Sequence, residues 1–255
     1  MIVTKRKFIL VGECWFDENP YGAKVDLIEF VQRPEPLTGG RFSPFYTMIV
    51  DLTQKQEEIF DKIKKDTRYE IRRGETKDGL VFNWVESPDS ETLHNFYRFY
   101  DSFAATKSMQ PINRNRVGRY AEAGNLRLSR AISSEGIDLV WHAYFCLGNR
   151  ARLLHSASVY RESSDSGFRS MVGRANRFLH WQDMLKLKEQ GIAIYDLGGW
   201  YAGNEDEAKL SINRFKEEFG GAIVEEYNGE FPVSLKGQLY LKLRYLRNKF
   251  RSARS

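Results

Sequence analysis

One continuous segment, residues 192–221, constrains the fold most strongly, because a buried strand, a glycine turn and an amphipathic helix follow one another. Residues 192–197 form a short apolar run bounded by glycines, which is typical of a strand buried on both faces. After it, apolar residues recur at helical spacing, at Ala208, Ile212, Phe215 and Phe219. Asp196 on the strand and Lys216 on the helix therefore lie on adjacent rigid elements.

The glycine pair Gly198-Gly199 ends the predicted strand. A side chain here would be hard to fit if the chain turns tightly or if a ligand approaches the backbone. We therefore predict that both glycines belong to a binding site.

Three further strands are predicted upstream, at residues 126–132, 138–147 and 151–160. The breaks between them are hairpin-sized, so the three strands should run antiparallel. A helix, the 192–197 strand and a second helix follow. This order predicts a mixed α+β fold with a mostly antiparallel central sheet flanked by helices, in a single main domain.

Other local patterns predict pairings and helices outside that region. Residues 7–14 and 24–32 fit a β-hairpin across the turn at 19–22, and residues 222–227 and 230–235 fit a second one around Asn228-Gly229. A helix is predicted from Thr53, as its cap, to about Gly74.

Composition indicates a globular, intracellular protein. Of the 255 residues, 42% are hydrophobic and 14% aromatic, which excludes wholesale disorder. Cys14 and Cys146 are too few for a disulfide framework and lack metal-ligand spacing. No apolar run approaches the ~20 residues that span a bilayer. We expect a cytoplasmic protein, with peripheral contact at the inner membrane face as a second option.

Three motifs, in order, resemble the Fem-type aminoacyltransferases, a branch of the GNAT superfamily of N-acyltransferases. They are Arg-Tyr-Glu-Ile-Arg-Arg-Gly at 68–74, Phe-Leu-His-Trp at 178–181, and Tyr-Asp-Leu-Gly-Gly at 195–199 followed by Phe-Lys-Glu-Glu-Phe-Gly-Gly at 215–221. The resemblance covers about residues 51 to 229.

The resemblance implies a GNAT-like fold and an enzyme that transfers an aminoacyl or acyl group to an amine of a cell-wall precursor or a surface-polysaccharide sugar. By resemblance, Lys216 is the lysine near the transferred carbonyl, where its charge would stabilise the oxyanion. Asp196 is a candidate to orient the acceptor or to take its proton, and Tyr160 and Tyr195 are candidate hydrogen-bond donors to it. His155 lies near the end of the sheet and is a candidate binding residue.

The donor is predicted to bind near residues 161–177, which we interpret as a loop. Acetyl-coenzyme A enzymes carry there a glycine-rich signature whose N–H groups approach the pyrophosphate. This chain keeps Gly173 within the segment Gly-Arg-Ala-Asn, and we predict Gly173, Arg174 and Asn176 as donor-binding residues. The incomplete signature favours the Fem-type interpretation. The donor is expected to be an aminoacyl-tRNA or an acyl-CoA, and no tightly bound cofactor is expected.

Two basic features suggest anionic partners. Arg72 and Arg73 are candidates to hold a phosphate or carboxylate. The end of the chain, residues 236–255, reads as a basic amphipathic helix that either contacts anionic lipid or nucleic acid or packs its leucines on the domain. We therefore predict three segments: a truncated N-terminal β subdomain (1–50), the acyltransferase domain (51–235) and this helix (236–255).

Two alternative functions stay open at this level. One is an acyl-CoA-dependent N-acetyltransferase of an amino sugar. The other is a non-catalytic module that binds a polyanion, either nucleic acid or membrane, through the basic C-terminal helix.

Overall fold

The computed structural model describes residues 1–161 and 163–252, which form ten strands and seven helices. In chain order they are β1 (Ile2–Arg6), β2 (Ile9–Trp15), β3 (Leu27–Arg33), β4 (Arg41–Asp51), α1 (Gln56–Lys62), α2 (Lys65–Thr76), β5 (Val81–Val85), α3 (Ser90–Thr106), α4 (Arg114–Glu122), β6 (Leu126–Ile132), β7 (Asp138–Leu147), β8 (Arg150–Ser158), α5 (Ser166–Glu189), β9 (Ile194–Gly199), α6 (Glu207–Glu217), β10 (Ala222–Pro232) and α7 (Leu235–Ser252).

The chain divides into two compact units. One comprises Met1–Thr47 with Val224–Ser255, and the other is Met48–Ile223. The N-terminal strands thus share a unit with α7 and most of β10. The sequence analysis instead predicts segment boundaries at 50/51 and 235/236.

The larger unit contains the predicted antiparallel meander. β6 pairs with β7, and β7 with β8, both antiparallel, while β5 pairs with β6 at one side and β9 joins β8 in parallel at the other. Side chains from β7, β9, α5 and the turn after α6 fill its core, among them Tyr144, Trp181, Tyr195 and Phe219. The predicted mixed α+β class with flanking helices is confirmed.

The smaller unit corrects one predicted pairing. β2 and β3 run parallel, with Val11 opposite Leu27, and do not form a hairpin. Residues 16–26 return the chain to the start of β2, where the Asp26 N–H donates to the Leu10 carbonyl at 2.8 Å. Ile9, Val11, Leu27 and Leu241 of α7 then form a small core.

The second predicted hairpin is also wrong, because residues 222–232 are one strand. β10 pairs antiparallel with β3 and only bulges between Tyr227 and Gly229. The Asn228 side chain accepts a hydrogen bond from the Gln32 N–H at 2.8 Å instead of shaping a turn. Gly229 fits against the Phe42 ring, where a Cβ would lie 2.2 Å from a ring carbon.

The predicted helix of residues 53–74 is two helices, α1 and α2. Ile63 adopts an extended conformation, and its side chain is buried. The adjacent Lys64 N–H donates to the Glu218 carbonyl at 2.8 Å, which draws the chain out of the helical path. The first helix is capped at Lys55, while Thr53 hydrogen-bonds to Asp51.

The glycine that ends α6 should be intolerant of a side chain. Gly220 has φ +70°, and a Cβ there would lie 2.5 Å from the Lys62 carbonyl oxygen. Gly148 has a similar φ of +57° with open space around it. We expect Gly220→Ala to lower the free energy of unfolding in a denaturant titration by about 2 kcal/mol more than Gly148→Ala, whose cost is the backbone term of ~1 kcal/mol alone. Equal losses would show that the contact with Lys62 is relieved at no cost.

Candidate active site

The site lies where two neighbouring parallel strands separate. β8 and β9 pair only over Arg150–Arg152 and Ile194–Asp196. Beyond these residues a cavity of about 440 Å³ opens, lined by the ends of both strands and by α3, α5 and α6. Where two strands separate, their backbone N–H and C=O groups are no longer hydrogen-bonded to each other. A ligand can therefore bind to these groups.

The walls of this cavity combine cations, imidazoles and aromatic rings. Among the described residues its lining includes Tyr100, Phe103, Lys107, Arg152, His155, Asn176, His180, Gly198, Gly199, Phe215 and Lys216, and no carboxylate. The cavity therefore suits a group that is electron-rich or becomes negative.

A buried ion pair fixes the point at which the strands part. Arg150 donates to the Asp196 Oδ2 from Nε at 3.1 Å and from Nη2 at 2.6 Å. The other carboxylate oxygen accepts the Gly198 N–H at 2.7 Å. Asp196 is fully buried and hydrogen-bonded at both oxygens, so it positions the glycine turn and does not line the cavity.

Lys216 reaches the cavity from α6. Its ammonium donates to the Gly198 carbonyl at 2.9 Å and to the Gly199 carbonyl. Burial and the nearby Arg152 guanidinium lower the pKa of Lys216 to about 8. The predicted neighbours Lys216, Gly198 and Gly199 are thus brought together at the opening between the strands.

The opposite wall carries His155 on β8. Its ring contacts the Tyr100 ring edge-on, with 4.8 Å between centroids. Burial and then the charge of Arg152 lower the pKa of His155 to about 4, so the imidazole is neutral at neutral pH. Arg152 itself donates to the Leu153 carbonyl at 3.0 Å.

A buried polar network backs the cavity. The Tyr144 hydroxyl donates to the Asp183 carboxylate at 2.6 Å and lies 2.8 Å from the Tyr195 hydroxyl. The Tyr195 hydroxyl in turn lies 2.6 Å from His180 Nδ1. Tyr195 is fully buried, so this predicted donor reaches the cavity only through His180.

The predicted donor loop is largely helical, which corrects the sequence interpretation. α5 begins at Ser166, because the Asp165 carboxylate accepts the Phe168 N–H and caps it. Gly173 therefore lies inside the helix, away from its free N–H groups.

Several predicted binding residues lie apart from Lys216. Gly173, Arg174 and the exposed Tyr160 line a separate cavity of about 460 Å³. Arg174 pairs with Asp78, while Asn176 lines the main cavity and contacts His142 Nε2 at 3.0 Å.

The predicted anion site on α2 is not part of the main cavity. Arg72 and Arg73 are both exposed, and Arg72 stacks over the Phe60 ring at 5.0 Å. Neither residue lines the cavity that contains Lys216.

Sequence reasoning missed three contributors to the cavity: Arg152, Lys107 and His180. Arg152 alternates with Arg150 on a strand otherwise rich in apolar residues, which is a readable signal. The sequence analysis places His180 only within the Phe-Leu-His-Trp motif. Its position between two buried apolar side chains is a further signal, because a buried imidazole needs a polar partner.

Other kinds of site are not seen in the described part of the chain. No group of three or more His, Cys, Asp or Glu side chains could hold a metal ion within residues 1–161 and 163–252. Burial raises the pKa of the Cys146 thiol to about 12, which makes it a poor nucleophile. In the same residues no helix is long and apolar enough to cross a membrane.

Part of the chain matches a known protein family. Residues 144–248 match the FemAB family, a segment that contains β8, β9, α6 and the part of the cavity lining that these elements contribute. No curated protein sequence matches the chain.

The fold is similar to those of several solved structures. FemX aligns with a TM-score of 0.60 at 15% identity, over 78% of this chain and 63% of FemX. The C-terminal domain of a putative lysylphosphatidylglycerol synthetase from Agrobacterium fabrum gives 0.57 at 17% identity, over 84% and 70%. L-PGS from Bacillus licheniformis gives 0.52 at 18%, over 86% and 72%. The chain spans less than two thirds of the length of FemX.

The chain is thus similar to the FemAB family over residues 144–248 and to FemX in its fold. The resemblance read from the three sequence motifs is confirmed at this level.

The charge state of Lys216 can be measured without a substrate. Because burial lowers its pKa to about 8, we expect its ammonium to lose the proton as pH rises through 8 in an NMR titration of lysine side chains. Lys209 on the same helix is the control, since its pKa is raised by a hydrogen bond to Asp206. If Lys216 titrates together with Lys209, its ammonium faces bulk water and the cavity assignment is wrong.

Proposed function

We propose that this protein transfers an aminoacyl group from an aminoacyl-tRNA ester to an amine of a cell-wall precursor or of a surface-polysaccharide sugar. The observation that carries the proposal is the cavity at the separation of β8 and β9, with the Lys216 ammonium at its glycine turn and no carboxylate among its described lining residues.

The reaction needs a neutral amine, a carbonyl held beside it and stabilisation of the oxyanion that forms when the amine attacks. Lys216 would supply the positive charge at the oxyanion. Gly198 and Gly199 have no side chains, so the donor could approach the backbone there. The space at Gly198 is narrow, because a Cβ on this residue would lie 3.1 Å from the Leu153 carbonyl oxygen. Direct attack by the amine requires no covalent enzyme intermediate.

The start of α5 favours an ester donor over acyl-CoA. Pyrophosphate binding in acetyl-coenzyme A enzymes uses free N–H groups at this helix start. Here the Asp165 carboxylate already accepts the Phe168 N–H. A second negative charge at the same N–H groups would be repelled.

Donor choice is tested by isothermal titration with aminoacyl-tRNA and, separately, with acetyl-coenzyme A, followed by transfer assays with amine-bearing acceptors. We expect heat and transfer with aminoacyl-tRNA only. Heat and transfer with acetyl-coenzyme A would favour the alternative, an amino-sugar N-acetyltransferase. Binding of polyanions with no transfer from either donor would favour the non-catalytic module.

Lys216→Met tests the site within that assay. Loss of one donor to an oxyanion typically lowers kcat by about 10²–10³-fold. Lys209→Met, on the same helix, should leave kcat unchanged. Undiminished transfer by Lys216→Met contradicts the carbonyl contact.

We also propose that α7 docks on an anionic lipid surface. Leu241 is buried in the small core, whereas Leu239, Leu243 and Leu246 are 52%, 50% and 47% exposed. Exposed Lys236, Lys242 and Arg247 accompany them. The leucines would enter the headgroup boundary while the cations contact acidic lipids. The side chains of Lys249 and Arg251, and all of Arg254, lie outside the described residues.

Vesicle flotation checks this contact. The double variant Leu239→Ser, Leu243→Ser should bind more weakly to vesicles of phosphatidylglycerol and phosphatidylcholine, by about tenfold per leucine. About half of each leucine side chain is exposed, and the variant loses the energy of burying that half in the lipid. Val3→Ser is the control, since Val3 is exposed on β1 to 48%. Equal binding to pure phosphatidylcholine, or no loss in the double variant, rules the docking out.

A further inference from the structure

We propose that His180 is the general base of this site, taking the proton of the attacking amine on its Nε2 atom, and that Tyr195, Tyr144 and Asp183 hold that atom free of a proton. This inference rests on the proposed acyl transfer. It deepens that function by naming the residue that activates the acceptor.

The direction of the buried hydrogen bonds defines the tautomer of His180. A hydroxyl has one hydrogen to donate. Asp183 Oδ2 lies 2.8 Å from His142 Nδ1 and accepts the Tyr144 hydroxyl hydrogen at 2.6 Å. With its hydrogen on Asp183, the Tyr144 hydroxyl accepts from the Tyr195 hydroxyl at 2.8 Å, and it also lies 3.1 Å from His142 Nδ1. Tyr195 has then spent its hydrogen, and at 2.6 Å its oxygen accepts from His180 Nδ1–H.

A neutral imidazole protonated at Nδ1 has its lone pair on Nε2. His180 lines the cavity that contains Lys216 and Gly198. The network thus presents a proton acceptor to the cavity in the same way that a buried carboxylate orients a catalytic histidine through its Nδ1–H.

The other cavity residues are less suited to the task. No carboxylate is among the described lining residues, and Lys216 must keep its proton to stabilise an oxyanion. His155 contacts the rings of Phe96 and Tyr100, and within the described part of the chain no hydrogen bond fixes its tautomer.

Burial keeps His180 neutral, so that its Nε2 lone pair is not already protonated at neutral pH. It lowers the pKa of His180 well below 6.5, and the neighbouring His142, Lys216 and Arg177 lower it further. Asp183 faces the same group through Tyr144 and Tyr195. A weak base can take this proton, because the nitrogen is more acidic after it has bonded to the carbonyl carbon than as a free ammonium.

The amine lone pair forms the N–C bond, and the carbonyl π electrons move to oxygen, beside the Lys216 ammonium. The ammonium proton of this intermediate passes to His180 Nε2. The oxyanion then re-forms the carbonyl, the C–O bond of the donor ester breaks, and the leaving oxygen takes the proton from the imidazolium to become a hydroxyl.

Imidazole ¹⁵N NMR tests the tautomer directly on the full chain. We expect His180 to be protonated at Nδ1 in the wild type. In Tyr144→Phe the Tyr195 hydroxyl loses its acceptor and turns its hydrogen toward His180, so the proton should move to Nε2. Tyr100→Phe is the control, because Tyr100 lines the cavity outside the network and should leave the tautomer unchanged. An Nε2–H tautomer in the wild type overturns the assignment.

Kinetics test the role as base. His180→Gln should lower kcat about 10²–10³-fold with KM within about threefold, and Tyr144→Phe should lower kcat about tenfold or more. The deficit of His180→Gln should shrink as pH rises, because hydroxide replaces the missing base. His94→Gln, on the exposed side of α3, is the activity control.

The outcomes separate the two proposals. A wild type that transfers nothing from any donor overturns the proposed function and the base with it. An active wild type with unimpaired His180→Gln overturns the base alone and leaves the proposed function standing. If His180→Gln does not fold, Tyr144→Phe decides: a tautomer shift without loss of kcat overturns the proposal.

Discussion

The Arg150–Asp196 ion pair is the interaction on which the site depends. It is buried and spans the short segment over which β8 and β9 are paired, with Arg150 at the first paired position and Asp196 at the last, and its carboxylate also accepts the Gly198 N–H. One carboxylate therefore fixes both where the strands part and how the glycine turn leaves the sheet. Buried pairs cost desolvation energy and are weak sources of stability. We infer that the Arg150–Asp196 pair serves mainly to hold β8, β9 and the glycine turn in one geometry where the strands separate.

The cavity is built to receive negative charge on one side and a proton on the other. Lys216 and Arg152 concentrate positive charge near the glycine turn, and burial brings the pKa of Lys216 to about 8 without removing its proton at neutral pH. His155 and His180 are kept neutral by the same low-polarity surroundings. Charge stabilisation of this preorganised kind is the largest contributor to many enzymatic rate enhancements.

Local periodicity was sufficient to predict the meander, the β9 strand and the helix after it, since each depends on neighbouring residues. The position of Lys216 near the site was implied by the family resemblance and not by periodicity. Periodicity failed where distant residues decide. The parallel pairing of β2 with β3 depends on the path of residues 16–26, and the continuity of β10 depends on Gln32 and Phe42. The hydroxyl network behind His180 joins four residues on three elements, and spacing along the chain cannot reveal it.

The most direct measurement is a crystal structure of the protein with a non-hydrolysable donor analogue, an adenosine carrying an amino acid in amide linkage at its 3′ position. We expect the analogue to bind between β8 and β9, with its carbonyl oxygen within hydrogen-bond distance of Lys216 Nζ. Its carbonyl carbon should face His180. An analogue bound in the cavity beside Tyr160 and Arg174, with the space next to Lys216 closed by the protein's own side chains, would contradict it.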